Sequence, residues 1–150
     1  MIAVVQRVRS ASVTVDAQIV GRIDLGLCVL ASIVRDDSES DLIWMAEKLT
    51  TLRIFPSGAD KAFDLDVRQI GGAMLLISNF TVAAATRRGR RPSFDSAMPP
   101  AQALEMFDRF VAIARATGIP TGTGRFGADM IVNIENDGPA TFVVDSRARE

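Results

Sequence analysis

The residues best suited to chemistry lie at the end of an apolar run, in the segment Ser78-Asn79-Phe80-Thr81. Thr81 could act as a nucleophile, but a hydroxyl is weak without an activating base, and no neighbouring residue type is a suitable base. Backbone N–H donation to a developing oxyanion is a second use, for which the side-chain types matter little. A structural interpretation also stands, in which the two hydroxyls only satisfy the end of a strand.

Missing residue types narrow the chemistry further. The 150 residues include no histidine and no tyrosine. A Ser-His-Asp or Cys-His arrangement is therefore excluded, and the usual near-neutral general base is missing. Cys28 is the only cysteine, so no intrachain disulfide forms and no site of nitrogen and sulfur ligands is available for zinc. We expect no metal and no cofactor, with any proton transfer made by carboxylates, water, backbone or substrate.

A second candidate segment is Asn136-Asp137-Gly138-Pro139-Ala140-Thr141, which lies between two strand-like runs. A tight turn normally uses Asn-Gly or Asp-Gly alone. Proline after the glycine removes a donor, fixes φ and allows a cis peptide bond at Gly138–Pro139. The segment is either a simple turn or a device that presents rigid backbone carbonyls, and the residues alone leave both interpretations open.

Arg7 and a cluster of four arginines are the basic residues with possible functional roles. Arg7 lies on a predicted strand with apolar neighbours and needs a partner if it is buried, either backbone carbonyls or Asp129. Four arginines surround Gly89 between positions 87 and 91. This cluster is either solvated surface or a site that binds nucleic-acid phosphates, for which arginine is well suited. A net charge of −1 excludes a uniformly basic nucleic-acid binder but permits such a local patch.

The composition, 48% hydrophobic and 23% charged, is that of an ordinary soluble globular protein. The length predicts one domain over residues 1–150. The N-terminus lacks the basic start and cleavage site of a signal peptide, and the longest apolar run, from Leu25 to Val34, is too short to cross a bilayer. We expect a cytoplasmic protein without a membrane partner.

The pattern of apolar residues predicts a mixed α/β fold. Strands are expected at residues 2–8, 10–15, 18–23, 27–34, 53–55, 73–81, 130–134 and 141–144. Ser38 followed by Asp41 predicts the start of a first helix. Pro99-Pro100 predicts a second helix that ends near Gly118. Its buried face is expected to carry four apolar side chains, Leu104, Phe107, Val111 and Ala114.

Four segments together resemble the D-aminoacyl-tRNA deacylase family. They are residues 78–82 (Ser-Asn-Phe-Thr-Val), 88–94 (Arg-Gly-Arg-Arg-Pro-Ser-Phe), 123–130 (Thr-Gly-Arg-Phe-Gly-Ala-Asp-Met) and 136–139 (Asn-Asp-Gly-Pro). The likeness runs in order from Val5-Gln6-Arg7-Val8 to about Ser146. One such segment alone would be weak evidence, whereas four in register are specific.

The resemblance implies a homodimer whose fold is layered, mixed, barrel-like sheets covered by two main helices. Its partner would be D-aminoacyl-tRNA, whose ester it would hydrolyse, and glycyl-tRNA would be accepted as well. Each active site would lie at the subunit interface, where the ribose 2′-hydroxyl assists water and the Phe80 N–H stabilises the oxyanion. L-aminoacyl substrates would be excluded sterically.

The family's roles can be carried onto this chain residue by residue. Ser78, Phe80 and Thr81 would form the catalytic segment, with Asn79 and Met130 beside the substrate. The cis Gly138–Pro139 pair would enter from the other subunit, held by Arg7. The basic loop would contact tRNA through Arg88, Arg90 and Arg91.

This chain departs from the family pattern at two positions. Asn79 stands where the family usually has glutamine, and Val82 replaces a common leucine. Asn79 is the only feature that favours one alternative, a binding module for tRNA or protein that has lost the reaction. A second alternative is an esterase or amidase with Thr81 as nucleophile.

Overall fold

The computed structural model describes residues 1–87 and 89–148. These residues form one mixed α/β domain. Its elements, in chain order, are β1 (Ile2–Val15), β2 (Gln18–Ile23), β3 (Gly26–Ser32), α1 (Glu39–Thr51), β4 (Ala73–Ser78), a short 3-10 helix (Phe80–Ala83), α2 (Pro100–Ala116), β5 (Thr121–Thr123) and β6 (Ile131–Asp145). No helix among the described residues is long and apolar enough to cross a membrane.

The strands form one curled sheet. β1 pairs antiparallel with β3 through its first half and with β2 through its second half, and β6 pairs antiparallel with both halves. β3, β4 and β5 run parallel to one another. The curl brings β2 against β5, where a Cβ on Gly21 would lie 2.2 Å from the carbonyl oxygen of Thr123. Only glycine permits so close an approach, so Gly21 allows the barrel-like sheet nearly to close.

The core has two parts because the central strands are covered on both faces. On β3, Leu27 and Val29 face the helices, whereas Cys28 faces the inside of the curled sheet. β4 alternates in the same way, with Leu76 toward the helices and Leu75 toward the inside. The nearly continuous apolar runs of β3 and β4 match this two-sided burial.

The helices begin where the sequence predicts. The Ser38 backbone N–H donates to the Asp41 carboxylate at 2.9 Å and fixes the start of α1. One expectation for α2 is wrong, because Leu104 is 40% exposed. The buried stripe of α2 instead consists of Ala103, Phe107, Phe110, Val111 and Ala114.

The largest correction concerns the C-terminal segment, where a strand–turn–strand hairpin was expected. The structure has one continuous strand, β6, that stays paired with β1 on both sides of the Gly-Pro pair. Gln6 faces Thr141 and Val8 faces Asn136, so residues 137–140 form a bulge opposite Arg7. The Asn136 side-chain amide donates to the carbonyls of Arg7 at 3.2 Å and Ala140 at 3.1 Å, which bridges the base of this bulge.

Three other strand predictions are corrected. β3 ends at Ser32 rather than at position 34. β4 ends at Ser78 rather than at position 81, because Asn79 caps the 3-10 helix that follows. Residues 53–55 form no strand; Phe55 makes only an isolated bridge to Leu65.

Candidate active site

A cavity of about 830 Å³ lies where β4 ends, between the 3-10 helix, the start of α2 and the segment before β6. It brings together five of the residues predicted for the site: Ser78, Asn79, Phe80, Thr81 and Met130. Positions 78–81 and 130 are far apart in sequence. They meet because the sheet curls and carries the segment before β6 back over the end of β4.

Hydrogen bonds fix the chain at the end of β4. The Asn79 backbone N–H donates to the Ala31 carbonyl at 2.8 Å, which extends the pairing with β3 by one residue. The Asn79 side-chain oxygen then accepts two bonds from Thr81, from its backbone N–H at 3.1 Å and from its hydroxyl at 2.5 Å. This double acceptance turns the chain into the 3-10 helix, with the side chains of Phe80 and Thr81 exposed.

An aromatic pair lines the same cavity. The ring of Phe80 is 58% exposed and packs edge-to-face on Phe94, with centroids 5.0 Å apart. Phe94 has no role among the sequence-based predictions, although it lies in one of the four family-like segments. Large exposed aromatic rings beside a cavity mark a surface suited to contact with a ligand or another chain.

The basic loop adjoins this aromatic pair. Ala85 and Ser93 exchange backbone hydrogen bonds of 2.8 and 2.9 Å, which closes the loop just before Phe94. Arg90 and Arg91 are exposed on it. Arg88, the third predicted tRNA contact, lies outside the described residues.

Arg7 lies beneath the bulge of β6 and is only 8% exposed. Its Nε donates to the Asp137 carbonyl at 3.1 Å and lies 3.2 Å from the Asp137 carboxylate. Its Nη1 donates to the carbonyls of Ile54 at 2.6 Å and Ala62 at 3.3 Å. The partners of the buried charge are therefore carbonyls and Asp137; Asp129, the other candidate, is exposed at the cavity.

The bulge requires glycine at position 138. Gly138 has φ +140°, and a Cβ there would lie 2.6 Å from the Ala140 backbone N and 3.1 Å from Nη2 of Arg7. A side chain would therefore be strained as well as crowded. The Gly138–Pro139 peptide bond is cis, as the family resemblance implied.

The residues predicted to be catalytic or to bind the substrate thus fall into two groups within one chain. Ser78, Asn79, Phe80, Thr81 and Met130 line the cavity. Arg7 lies instead with the exposed Gly138 and Pro139, and none of these three lines that cavity. Their separation means that one chain alone does not bring the Gly-Pro pair to the cavity.

Two charged cavity residues were missed by sequence reasoning. Arg35 lines the cavity, and its Nε donates to the Asp95 carbonyl at 3.1 Å. Asp129 was considered only as a partner for Arg7, yet it lines the cavity too. No sequence pattern signals Arg35, because its contact with the cavity depends on a loop sixty residues away.

Cysteine chemistry is excluded at neutral pH. Burial raises the pKa of the Cys28 thiol from 9.0 to about 12. A thiol that stays protonated is a poor nucleophile and a poor metal ligand. Within residues 1–87 and 89–148, no three or more Cys, Asp or Glu side chains cluster in a way that could hold a metal ion.

The fold and the cavity define a small mixed α/β protein whose candidate site consists of a strand end, a 3-10 turn and exposed aromatic rings. A sequence model of the family described as D-Tyr-tRNA(Tyr) deacylase matches residues 4–145. A protein of Geobacter sulfurreducens named D-aminoacyl-tRNA deacylase is 49% identical over 149 residues, covering 99% of this chain and 97% of that protein. A protein of the same name from Shewanella amazonensis is 51% identical, covering 95% and 97% of the two chains.

Two solved structures have the same fold as this chain. A structure described as c-Myc DNA Unwinding Element Binding Protein is 36% identical and superposes with a TM-score of 0.91 over 97% of this chain and 98% of the other. A probable eukaryotic D-amino acid tRNA deacylase shares the fold, with a TM-score of 0.78 and 15% identity over 95% and 98%. The chain belongs to the D-aminoacyl-tRNA deacylase family, which confirms the resemblance read from the four segments and makes it an enzyme of the hydrolase class.

Proposed function

We propose that this protein hydrolyses the ester bond of D-aminoacyl-tRNA in the cytoplasm, releasing free tRNA and the D-amino acid, and that it also accepts glycyl-tRNA. The observation that carries the proposal is the turn at the end of β4. Phe80 is the first residue of a 3-10 helix, so its backbone N–H has no intrahelical acceptor, and Phe80 lines the cavity. That donor is available for the oxyanion that forms when water attacks an ester carbonyl.

The hydrolysis needs no side-chain base. The oxygen of water bonds to the ester carbonyl carbon, the bond to the ribose oxygen breaks, and the proton released by water reaches the leaving ribose oxygen through the neighbouring 2′-hydroxyl. The protein positions the ester and stabilises the charge on the carbonyl oxygen through Phe80. This assignment suits a chain without histidine, whose only cysteine is buried and protonated.

A second copy of the chain supplies the chirality filter. The exposed Gly138–Pro139 segment of one subunit enters the cavity of its partner and occupies the space that an L side chain would need. Support comes from the hydrogen bonds beneath the bulge: Arg7 holds the Asp137 carbonyl, and Asn136 holds the Ala140 carbonyl. Glycine has no side chain and therefore passes the same filter.

The tRNA backbone contacts the basic loop. Arg90 and Arg91 are exposed a few residues from Phe94, which lines the cavity. Arg88 is assigned to the same surface from the sequence alone. Phosphates near the acceptor end of tRNA would meet these guanidinium groups while the aminoacyl ester enters the cavity.

A deacylation assay tests the function directly. Purified protein is incubated with matched D- and L-aminoacyl-tRNA and with glycyl-tRNA, and ester loss is compared with spontaneous hydrolysis. We expect turnover of the D-ester and of the glycyl ester, with the L-ester left at its spontaneous rate. Binding of tRNA without turnover of the D-ester, by a folded protein, would instead favour a module that has lost the reaction.

A further inference from the structure

We propose that Asn79 is a positioning residue whose side-chain oxygen orients the Thr81 hydroxyl as a hydrogen-bond acceptor for the α-amino group of the aminoacyl-adenosine in the cavity. The proposal rests on the proposed function, because it names a contact with the same substrate. Both side chains line the cavity, and both take part in the hydrogen bonds that begin the 3-10 helix.

The orientation of the Asn79 amide follows from a backbone donor. A backbone N–H can only donate, so the Asn79 atom 3.1 Å from the Thr81 nitrogen must be the oxygen. The Thr81 hydroxyl lies 2.5 Å from that same oxygen. An amide oxygen only accepts, and the hydroxyl proton must therefore point toward Asn79.

This arrangement determines what Thr81 can do. With its proton held by Asn79, the hydroxyl oxygen keeps lone pairs that can accept a hydrogen bond. The proton is shared with a neutral amide and not with a base, so the hydroxyl is not activated for attack. Thr81 therefore acts as an acceptor and not as a nucleophile.

The substrate offers donors of the matching kind. Beside the ester carbon of an aminoacyl-adenosine lie the protonated α-amino group and the ribose 2′-hydroxyl, whereas the ester oxygens can only accept. The 2′-hydroxyl has a single proton, which it passes to the leaving ribose oxygen. The Thr81 lone pairs therefore bind the protonated α-amino group and so hold the ester carbonyl near the Phe80 N–H.

The length of the Asn79 side chain suits this task. Asparagine reaches the backbone N–H two residues further on, as in an Asx-turn.

Two substitutions distinguish the role of the Asn79 side-chain oxygen from the role of its side-chain nitrogen. Asn79→Asp keeps an acceptor and loses the amide donors, so kcat/KM for the D-ester is expected to fall at least about threefold less than for Asn79→Ala. Asn79→Ala loses the acceptor and is expected to fall about 5- to 10-fold, the value of one net hydrogen bond. Asn133→Ala, an exposed asparagine outside the cavity, serves as the control. Equal losses for Asn79→Asp and Asn79→Ala would overturn the proposal, because the amide donors would then matter.

A double-mutant cycle tests whether Asn79 works through Thr81. Thr81→Val alone is expected to cost about as much as Asn79→Ala, and adding Asn79→Ala to Thr81→Val should cost less than about twofold more. A merely structural cap would still be lost in the Thr81→Val background, so additive losses would overturn the proposal. A loss of about 10⁴-fold or more for Thr81→Val would also overturn it, since that is the scale expected for a nucleophile.

Binding of non-hydrolysable analogues identifies the donor and separates this proposal from the proposed function. D-aminoacyl adenosine with an amide in place of the ester is compared with versions lacking the α-amino group or the 2′-hydroxyl. Thr81→Val should weaken binding of the full analogue and of the analogue without the 2′-hydroxyl about 5- to 10-fold, and should leave binding of the analogue without the α-amino group unaffected. An equal weakening for all three would overturn the proposal.

If the parent protein turned over no D-ester, the proposed function would fail. Normal turnover by every Asn79 and Thr81 variant would overturn this inference alone.

Discussion

At the scale of single residues, Arg7 and Gly138 are packed against each other: Arg7 bonds to the bulge beside Gly138, and the lack of a side chain at Gly138 leaves room for Arg7. The guanidinium group holds carbonyls from three separate segments, at Ile54, Ala62 and Asp137. Its planar, always-charged fork suits such divergent acceptors better than a lysine ammonium would. Because Nη2 occupies the space beside Gly138, the buried arginine also excludes a side chain from the bulge.

Gly138→Ala tests this packing. The substitution should destabilise the protein by about 2 kcal/mol or more, because it combines an unfavourable φ with contacts to Ala140 and Arg7. Gly71→Ala is the matched control: Gly71 also has positive φ, but nothing lies within 4 Å of its Cβ position. That control should cost only about 1 kcal/mol. Urea denaturation of both variants measures the difference, and equal losses would mean that crowding by Arg7 has no effect.

At the scale of elements, the connection from β4 to α2 carries most of the candidate site. It begins with the 3-10 helix, forms the basic loop closed by Ala85 and Ser93, and returns to the cavity at Phe94. This single connection therefore carries both the candidate oxyanion donor, which is the Phe80 N–H, and the arginines of the basic loop. We expect binding of the tRNA backbone and positioning of the ester to be coupled through this segment.

Combined replacement of Arg90 and Arg91 by alanine tests the role of the loop. Affinity for tRNA should fall, and the slope of log K against log salt should become shallower by about 0.7 to 0.9 for each phosphate that the protein no longer neutralises. Arg68→Ala with Arg115→Ala removes the same charge from exposed positions on other elements and should leave the slope unchanged. Filter binding or fluorescence anisotropy at several salt concentrations gives the measurement. An unchanged slope in the loop variant would show that these arginines touch no phosphate.

At the scale of the whole molecule, the two groups of candidate residues are complementary. The cavity has exposed aromatic rings at Phe80 and Phe94, and the bulge is flanked by Phe63, which is 57% exposed and packs edge-to-face on Phe142. Apolar patches of this kind are buried when subunits associate. A twofold dimer would bring each bulge to the other subunit's cavity and complete two sites at once.

Complementation between two inactive variants tests this arrangement. Ser78→Trp fills the cavity of its own subunit, and Pro139→Trp, at the exposed tip of the bulge, would fill the cavity of the partner, so each homodimer should be inactive. After refolding in equal amounts, half of the dimers carry both chains, and one of their two sites is intact; about one quarter of the parent activity should return. Mixing either variant with itself is the control. Failure to recover activity, with mixed dimers shown by native mass spectrometry, would contradict sharing of the site between subunits.

The sequence by itself determined the local features. Ser38 and Asp41 start α1, and the apolar runs become strands, because each depends on neighbouring residues or on the period of apolar side chains. At Gly138–Pro139 the residues allowed a cis bond, and the resemblance to the family implied it. The absence of histidine excludes the common catalytic arrangements on composition alone. Four segments in register identified the family.

Only the tertiary structure decided how these features meet. The Asn136–Thr141 segment is typical of a hairpin turn, yet it is a bulge, because β1 is long enough to pair with the chain on both sides of it. Nothing near Arg7 in the sequence signals its bonds to Ile54, Ala62 and Asp137. The cavity likewise exists because a curled sheet brings residues 78–81 and 130 together. Such long-range pairing depends on strand register and on close approach, as at Gly21 beside Thr123, and local sequence patterns encode neither.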